Sequence, residues 1–180
     1  LFRSGAMNTS SKFVVAVHIL TLLSSQKILL GEKSLMKSDF IARGLNTNPV
    51  VIRRLLSLLK AKKLVDSKAG PSGGFYFKYD PSTVTLAMIH DIVEPGNLYH
   101  MYYSSPNKEC PFGSHIHGYL KTLLCSAEAS FKNVLAEKSL LDLVNDVLNK
   151  VEHKENLTKE EFASELKKNM KAISSKCSQK

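Results

Sequence analysis

Tryptophan is absent from this 180-residue chain, and only three cysteines are present. Cys110, Cys125 and Cys177 stand apart from one another, and no charged-then-apolar leader opens the chain. They are therefore expected to be reduced thiols of a cytoplasmic protein, not parts of a disulfide framework. There is no uninterrupted run of about 18 apolar residues, so neither a membrane span nor a membrane partner is expected. Catalytic signatures are missing too: no H-E-x-x-H, no G-x-x-x-x-G-K-[ST] and no carboxylate pair in an apolar setting. The chain is expected not to be an enzyme. His18 and His90, both in apolar helical stretches, read as core or edge residues.

Acidic side chains are scarce in one segment. Residues 37–79 hold nine Lys or Arg against Asp39 and Asp66, whereas residues 80–180 hold twelve Lys against thirteen Asp or Glu. The net charge of +9 therefore belongs chiefly to one stretch. A concentrated basic segment on a folded domain is the electrostatic footprint of a nucleic-acid binder, and equally of a lysine-rich solvated surface. At 43% apolar residues the chain can bury the core of one domain with an appended helical piece. "LFRSGA" (1–6) reads as an expression remnant ahead of Met7.

"SSKFVVAVHILTLLSSQ" (10–26) begins with serines able to cap a helix and continues almost wholly apolar. A helix apolar on most sides must be buried, in part against a second subunit if its own domain is small. A short helix is predicted over 38–44, with Ser38 as cap, Phe40 and Ile41 facing inward and Gly44 as its end. Asn48-Pro49 then signals a second start, because asparagine caps free N–H groups and proline suits the first helical turn. Ile52, Leu55, Leu56 and Leu59 make its buried stripe, with Val50, Arg53, Arg54, Ser57 and Lys60 opposite. Two short helices joined by a tight turn, the second basic outside, describe a helix-turn-helix whose second helix enters the DNA major groove.

"LVDSKAG" and "GFYFKY" read as two short strands joined by "GPSGG". A nucleotide cradle would need a helix after the glycines; here a strand follows, so the loop is a hairpin tip and the hairpin a wing. "DPSTVTLAMIHDIVEPG" returns to helix, with Thr85 as cap and Pro95-Gly96 as stop. Residues 97–115 are loop-like. From about Ile116 a long helix carries Ile116, Leu120, Leu123, Leu124, Ala127, Phe131, Val134 and Leu135. It exceeds what a small winged domain needs, so it is read as a dimerisation helix. Ser139 starts another helix, and Thr158 to Glu161 forms a capping box for a terminal one. The expected fold is mainly α with a small β-hairpin wing. Its expected parts are a DNA-binding domain (7–96), a loop and dimerisation helices (97–151) and a helical extension (152–180).

The run "NPVVIRRLLSLLKAKKLVDSKAGPSGGFYF" resembles the signature of the Rrf-two-type bacterial transcriptional regulators: an Asn-Pro helix with an Arg-Arg pair, a leucine-valine strand and a Gly-Pro-x-Gly-Gly wing. "TLAMIHDIVE" and "ECPFGSHIHGYLKTLLCSAEASFKNVL" resemble the helices that follow, and Cys-Pro-Phe-Gly is similar to the Cys-Pro-Val-Gly step of one subgroup. The resemblance spans about residues 7–150. It implies a homodimeric winged-helix repressor on a palindromic double-stranded operator, under a small-molecule or redox effector. Carried over by motif, the recognition positions are Asn48, Pro49, Val50, Arg53, Arg54 and Ser57, and the wing positions Ser67, Lys68, Gly70, Pro71, Gly73 and Gly74. Ser38, Thr47 and Ser72 complete the DNA-facing set. At Ala69 many relatives carry an arginine that enters the minor groove; Lys68 is the cation next to it here.

Cluster-binding relatives carry three cysteines in the loop before the long helix, where this chain has Cys110 alone, so no iron–sulfur cofactor is expected. Cys110, His115 and His117 have metal-ligand side chains, but C-x₄-H-x-H matches no standard site and no metal is expected. Cys110 is instead a sensor candidate, because Lys108 and a helix start both favour a thiolate; a thiol without a signalling role is the alternative. Two function classes follow: a sequence-specific DNA-binding regulator, and a winged-helix protein-interaction module that binds no DNA.

Overall fold

In the computed structural model, residues 11–32, 34–99, 110, 112–155 and 157–176 are described. Residues 1–6, Cys177 and most of the 97–115 loop lie outside that set. Helix α1 (Lys12–Leu30) runs through the centre, followed by α2 (Ser38–Gly44) and α3 (Pro49–Ala61). Strands β1 (Val65–Lys68) and β2 (Gly74–Phe77) come next, and then α4 (Leu86–Val93), α5 (Gly113–Ala136), α6 (Leu140–Glu155) and α7 (Lys159–Lys176). This is the expected helical fold with a two-stranded antiparallel wing.

α1 has no uninterrupted apolar run, as expected, yet by length and composition alone it is apolar enough to cross a membrane. Its apolar residues are interrupted by His18, Thr21, Ser24, Ser25 and Gln26, which is why no unbroken run shows in the sequence. In the fold it is the hub of the core. Ala16, Ile19, Leu20 and Leu23 are fully buried, and α4, β2, α6 and α7 all pack against the helix.

Helix ends are set by local hydrogen bonds. Asn48 caps α3 as expected, its side chain accepting from the Val50 N–H at 2.8 Å, and Thr85 caps α4 from Met88 N–H at 3.3 Å. Thr158 and Glu161 exchange bonds in the expected capping box of α7, and Ser139 and Asp142 form an equivalent pair at α6. Neither Ser11 nor Ser38 caps a helix: Ser38 is the first helical residue of α2, after Lys37 in extended conformation.

α2 has the expected bounds, 38–44 with Gly44 at its end, but the left-handed residue of the turn is not that glycine. Gly44 is the last residue of α2, and Asn46 takes the left-handed conformation at φ 46. Asn46 N–H donates to Arg43 O at 3.0 Å, and Thr47 N–H to Ala42 O at 2.9 Å. This is the paired closure that ends helices with a left-handed residue, and asparagine tolerates that geometry through its short polar side chain. α3 ends the same way on Lys63 (φ 65), with Leu64 N–H reaching Leu59 O at 3.0 Å and Leu64 dropping into the core.

The last turns of α5 are held by the domain: His90 on α4 lies edge-to-face between Phe13 of α1 (5.3 Å) and Phe131 of α5 (5.2 Å). α6 crosses the boundary expected at 151–152 and returns to the first core. Leu140 belongs to the same buried cluster as α1, and Leu140 N–H bonds Val84 O at 2.8 Å. In α7, half-buried Phe162, Ala163, Leu166 and Met170 share one face, and Met170 packs on the core cluster.

Candidate nucleic-acid interface

The interface residues are positioned by α3, which buries Ile52, Leu55, Leu56 and Leu59 and so turns the opposite face outward. Val50 (59% exposed), Arg54 and Ser57 recur at spacings of four and three, so they stand on one outward ridge. The Ser57 hydroxyl donates to Arg53 O within its own helix at 2.9 Å. Pro49 is exposed at the first turn, beside the Asn48 cap. Thr47 is half-buried, its hydroxyl donating to Leu45 O at 3.0 Å, and Ser38 is half-buried in α2. Among the α3 positions, therefore, the outward set is Asn48, Pro49, Val50, Arg53, Arg54 and Ser57, with Thr47 and Ser38 set back.

The two arginines differ. Arg53 donates to Asp39 Oδ1 of α2 at 3.1 Å, while Arg54 makes no hydrogen bond or ion pair among the described residues. Lys60, near the far end of α3, is bound twice to the wing, to Ser67 Oγ at 2.6 Å and Asp66 Oδ1 at 3.2 Å. The Asp66 carboxyl is held below its ordinary pKa, first by the Ser67 N–H and then by Lys60. These contacts tie the hairpin to the recognition helix.

The wing pairs Val65 with Phe77, Asp66 with Tyr76, Ser67 with Phe75 and Lys68 with Gly74. Lys68, Ala69, Gly70, Pro71 and Ser72 form an exposed tip, which gathers Lys68, Gly70, Pro71 and Ser72 of the expected wing positions, with Ser67 half-buried in β1. Gly70 sits at φ 109, a conformation that side chains rarely tolerate. Gly73 and Gly74 face inward instead: Gly73 is buried with its N–H on Gly70 O at 2.9 Å, and a Cβ at Gly74 would come within 2.8 Å of Met36 O. Met36 pairs with Phe75 on the far side of β2, with N–H to O distances of 2.9 and 2.8 Å. That third pairing was not legible in sequence, since one residue has no strand period. The clamps by Asp39 and Asp66 were also missed, although both stood out as the only carboxylates between residues 37 and 79.

Cys110 is exposed and its sulfur accepts from the Gly113 N–H at 3.4 Å, so it lies against the start of α5. α5 begins at Gly113 rather than about Ile116 and takes in His115 and His117. Cys125 is exposed on α5. Among the described residues no three His, Cys, Asp or Glu side chains gather as a metal site. No described residue of α5 is fully buried, and Ile116, Tyr119, Leu123, Phe131 and Val134 expose apolar surface along it.

Residues 9–146 match the profile of the Rrf2 family, described as an iron-dependent transcriptional regulator. The HTH-type transcriptional regulator YwnA of Bacillus subtilis (strain 168), so named, is 37% identical over 136 residues, which cover 76% of this chain and 96% of YwnA. A crystal structure described as a DNA binding protein is 36% identical, with a TM-score of 0.57 over 74% of this chain and 98% of that one. The global cysteine regulator CymR of B. subtilis shares the fold at 20% identity and a TM-score of 0.58, over 76% and 95% of the two chains. Against the iron of the family description, this chain offers one cysteine ahead of α5 and a second, Cys125, well inside the helix.

Proposed function

The chain belongs to the Rrf2 family of transcriptional regulators, and from that premise we propose that it binds a palindromic operator as a homodimer and represses transcription in the cytoplasm. The observation that carries this reading is the outward ridge of α3, Val50, Arg54 and Ser57, beside an exposed wing tip and with an arginine that has no partner within the described residues. Such a helix, capped at its start by Asn48, fits the major groove with its first turns toward the base edges. Lys68 and the backbone of Gly70 to Ser72 then lie where the wing meets phosphates. The bare apolar face of α5 supports the dimer, because a two-fold pairing of that face would cover it and set two recognition helices at a fixed spacing. A dimer seated across an operator denies the same duplex to polymerase.

No enzymatic role is assigned; the relatives are regulators. The reading includes no iron–sulfur cluster in this chain, supported by its donor set. It assigns signalling to Cys110, whose sulfur sits on the first turn of the helix proposed to dimerise. Selecting duplexes from a random pool tests the main proposal: recovery of a palindrome is expected, and no retention even at low salt would leave the protein-interaction module instead. Cys110→Ser is expected to abolish operator release by peroxide, and unchanged release would remove the sensor role. Iron and sulfide assays on anaerobically purified protein are expected to find neither in stoichiometric amount.

A further inference from the structure

The only two carboxylates of the basic segment both hold cations of the recognition helix: Asp39 holds Arg53 and Asp66 holds Lys60. Arg53 and Lys60 are seven residues apart, so they stand on one flank of α3, about 20° from each other around its axis. The flank is therefore neutralised twice, once from α2 and once from the wing. The ridge beside it, Val50, Arg54 and Ser57, carries the one cation of α3 with no partner among the described residues.

We infer that Asp39 is a specificity-setting positioning residue: by pairing with Arg53 it keeps that guanidinium on the α2 flank and leaves Arg54, Val50 and Ser57 as the surface that reads bases. The inference rests on the DNA-binding reading above. An exposed pair of this kind contributes little to folding, since water and salt screen it. Its consequence is in recognition. A free arginine on α3 would meet phosphates of any duplex and raise affinity without discrimination, because phosphate contacts carry no sequence information. With Asp39 in place, a phosphate must displace a carboxylate to gain that contact. Among the described residues Arg54 has no such competitor, and a guanidinium can pair bidentately with a guanine edge.

The test compares Asp39→Asn, Asp39→Glu, Arg53→Ala and the double variant Asp39→Asn with Arg53→Ala. Fluorescence anisotropy measures each on a random duplex and on the duplex recovered by selection. Asp39→Asn is expected to raise random-duplex affinity by up to about tenfold and to steepen the slope of log affinity against log salt by about one. The ratio of selected to random affinity should fall, and Asp39→Glu should keep the wild-type ratio. In the Arg53→Ala background Asp39→Asn should change nothing further, which separates the positioning role from the mere loss of a negative charge. An unchanged ratio and slope in Asp39→Asn, or the same shift persisting without Arg53, overturns the inference while leaving DNA binding intact. Wild-type protein that retains no duplex at low salt overturns the DNA-binding reading and this inference with it. Thermal melts of all four variants confirm that the differences are read on folded protein.

Discussion

α1 and α5 are both long helices with many apolar residues, and the fold treats them in opposite ways. α1 buries Ala16, Ile19, Leu20 and Leu23 completely, because α4, β2, α6 and α7 surround it. α5 buries none of its described residues fully and exposes Ile116, Tyr119, Leu123 and Val134. The sequence suggested that α1 would borrow part of its burial from a second subunit. The chain supplies much of that cover itself, partly through α7, whose residues lie beyond the family match, and leaves Val14 and Ile28 of α1 exposed. Among the described residues, α5 is the helix that exposes more large apolar side chains. An apolar count identifies helices that must be covered, but only the packing shows which already are.

Four experiments would break or sharpen this contrast, taken from the largest expected effect. Ile116→Glu with Leu123→Glu puts charge on the bare face of α5. Light scattering should show monomers with an unchanged melting curve, and operator affinity should fall by about a hundredfold or more as the second half-site is lost. A dimer that survives both substitutions would mean the face is covered by something else. Leu20→Ala at the centre of α1 should instead cost about 2–5 kcal/mol in denaturant unfolding, since it leaves a cavity among packed side chains. It should leave the association of the remaining folded protein unchanged.

Smaller effects test the connections between these regions. Lys63 ends α3 at φ 65, where a side chain is strained and glycine is not. Lys63→Gly should therefore raise stability by about 1 kcal/mol, measured as a higher denaturant midpoint. The weakest effect is acid dependence. Asp66, Asp80, Asp142 and Glu161 are held below their ordinary values of 3.8 and 4.5, chiefly by bonds from Ser67, Ser82, Ser139 and Thr158. A lowered carboxylate pKa adds stability that is present above the unfolded value and lost as pH falls through the folded one. The melting temperature should thus stay level through the neutral range with respect to these groups, then decline below the ordinary carboxylate range. Asp66→Asn should blunt the decline slightly.

Much of the fold was legible because local chemistry and tertiary need agree. Asn48-Pro49, the Ile52–Leu59 stripe and the Gly-Pro-Ser-Gly-Gly tip each specify their element within a few residues. The end of α2 at Gly44 was legible, but its left-handed closing residue was not, because glycine usually takes that conformation and here Asn46 adopts it two positions later. Within the interface, the α3 face and wing tip were anticipated, but Gly73 and Gly74 serve the hairpin's own packing. No sequence rule separates a glycine that approaches DNA from one that approaches Met36.

By itself the sequence determined the charge of the recognition segment, the periodic stripes that turn one face of each helix inward, and the caps that begin α3, α4 and α7. These depend on contacts within a few residues, so neighbours in sequence suffice. Tertiary structure alone decided that Arg53 is held while Arg54 has no partner among the described residues, that Met36 pairs with the wing, and that α1 forms the centre of the core while α5 lies open. Those outcomes depend on side chains brought together from distant positions, as Asp39 is to Arg53 and Asp66 to Lys60. A carboxylate cancels a cation only at contact distance, and contact between separate elements is a property of the packed chain.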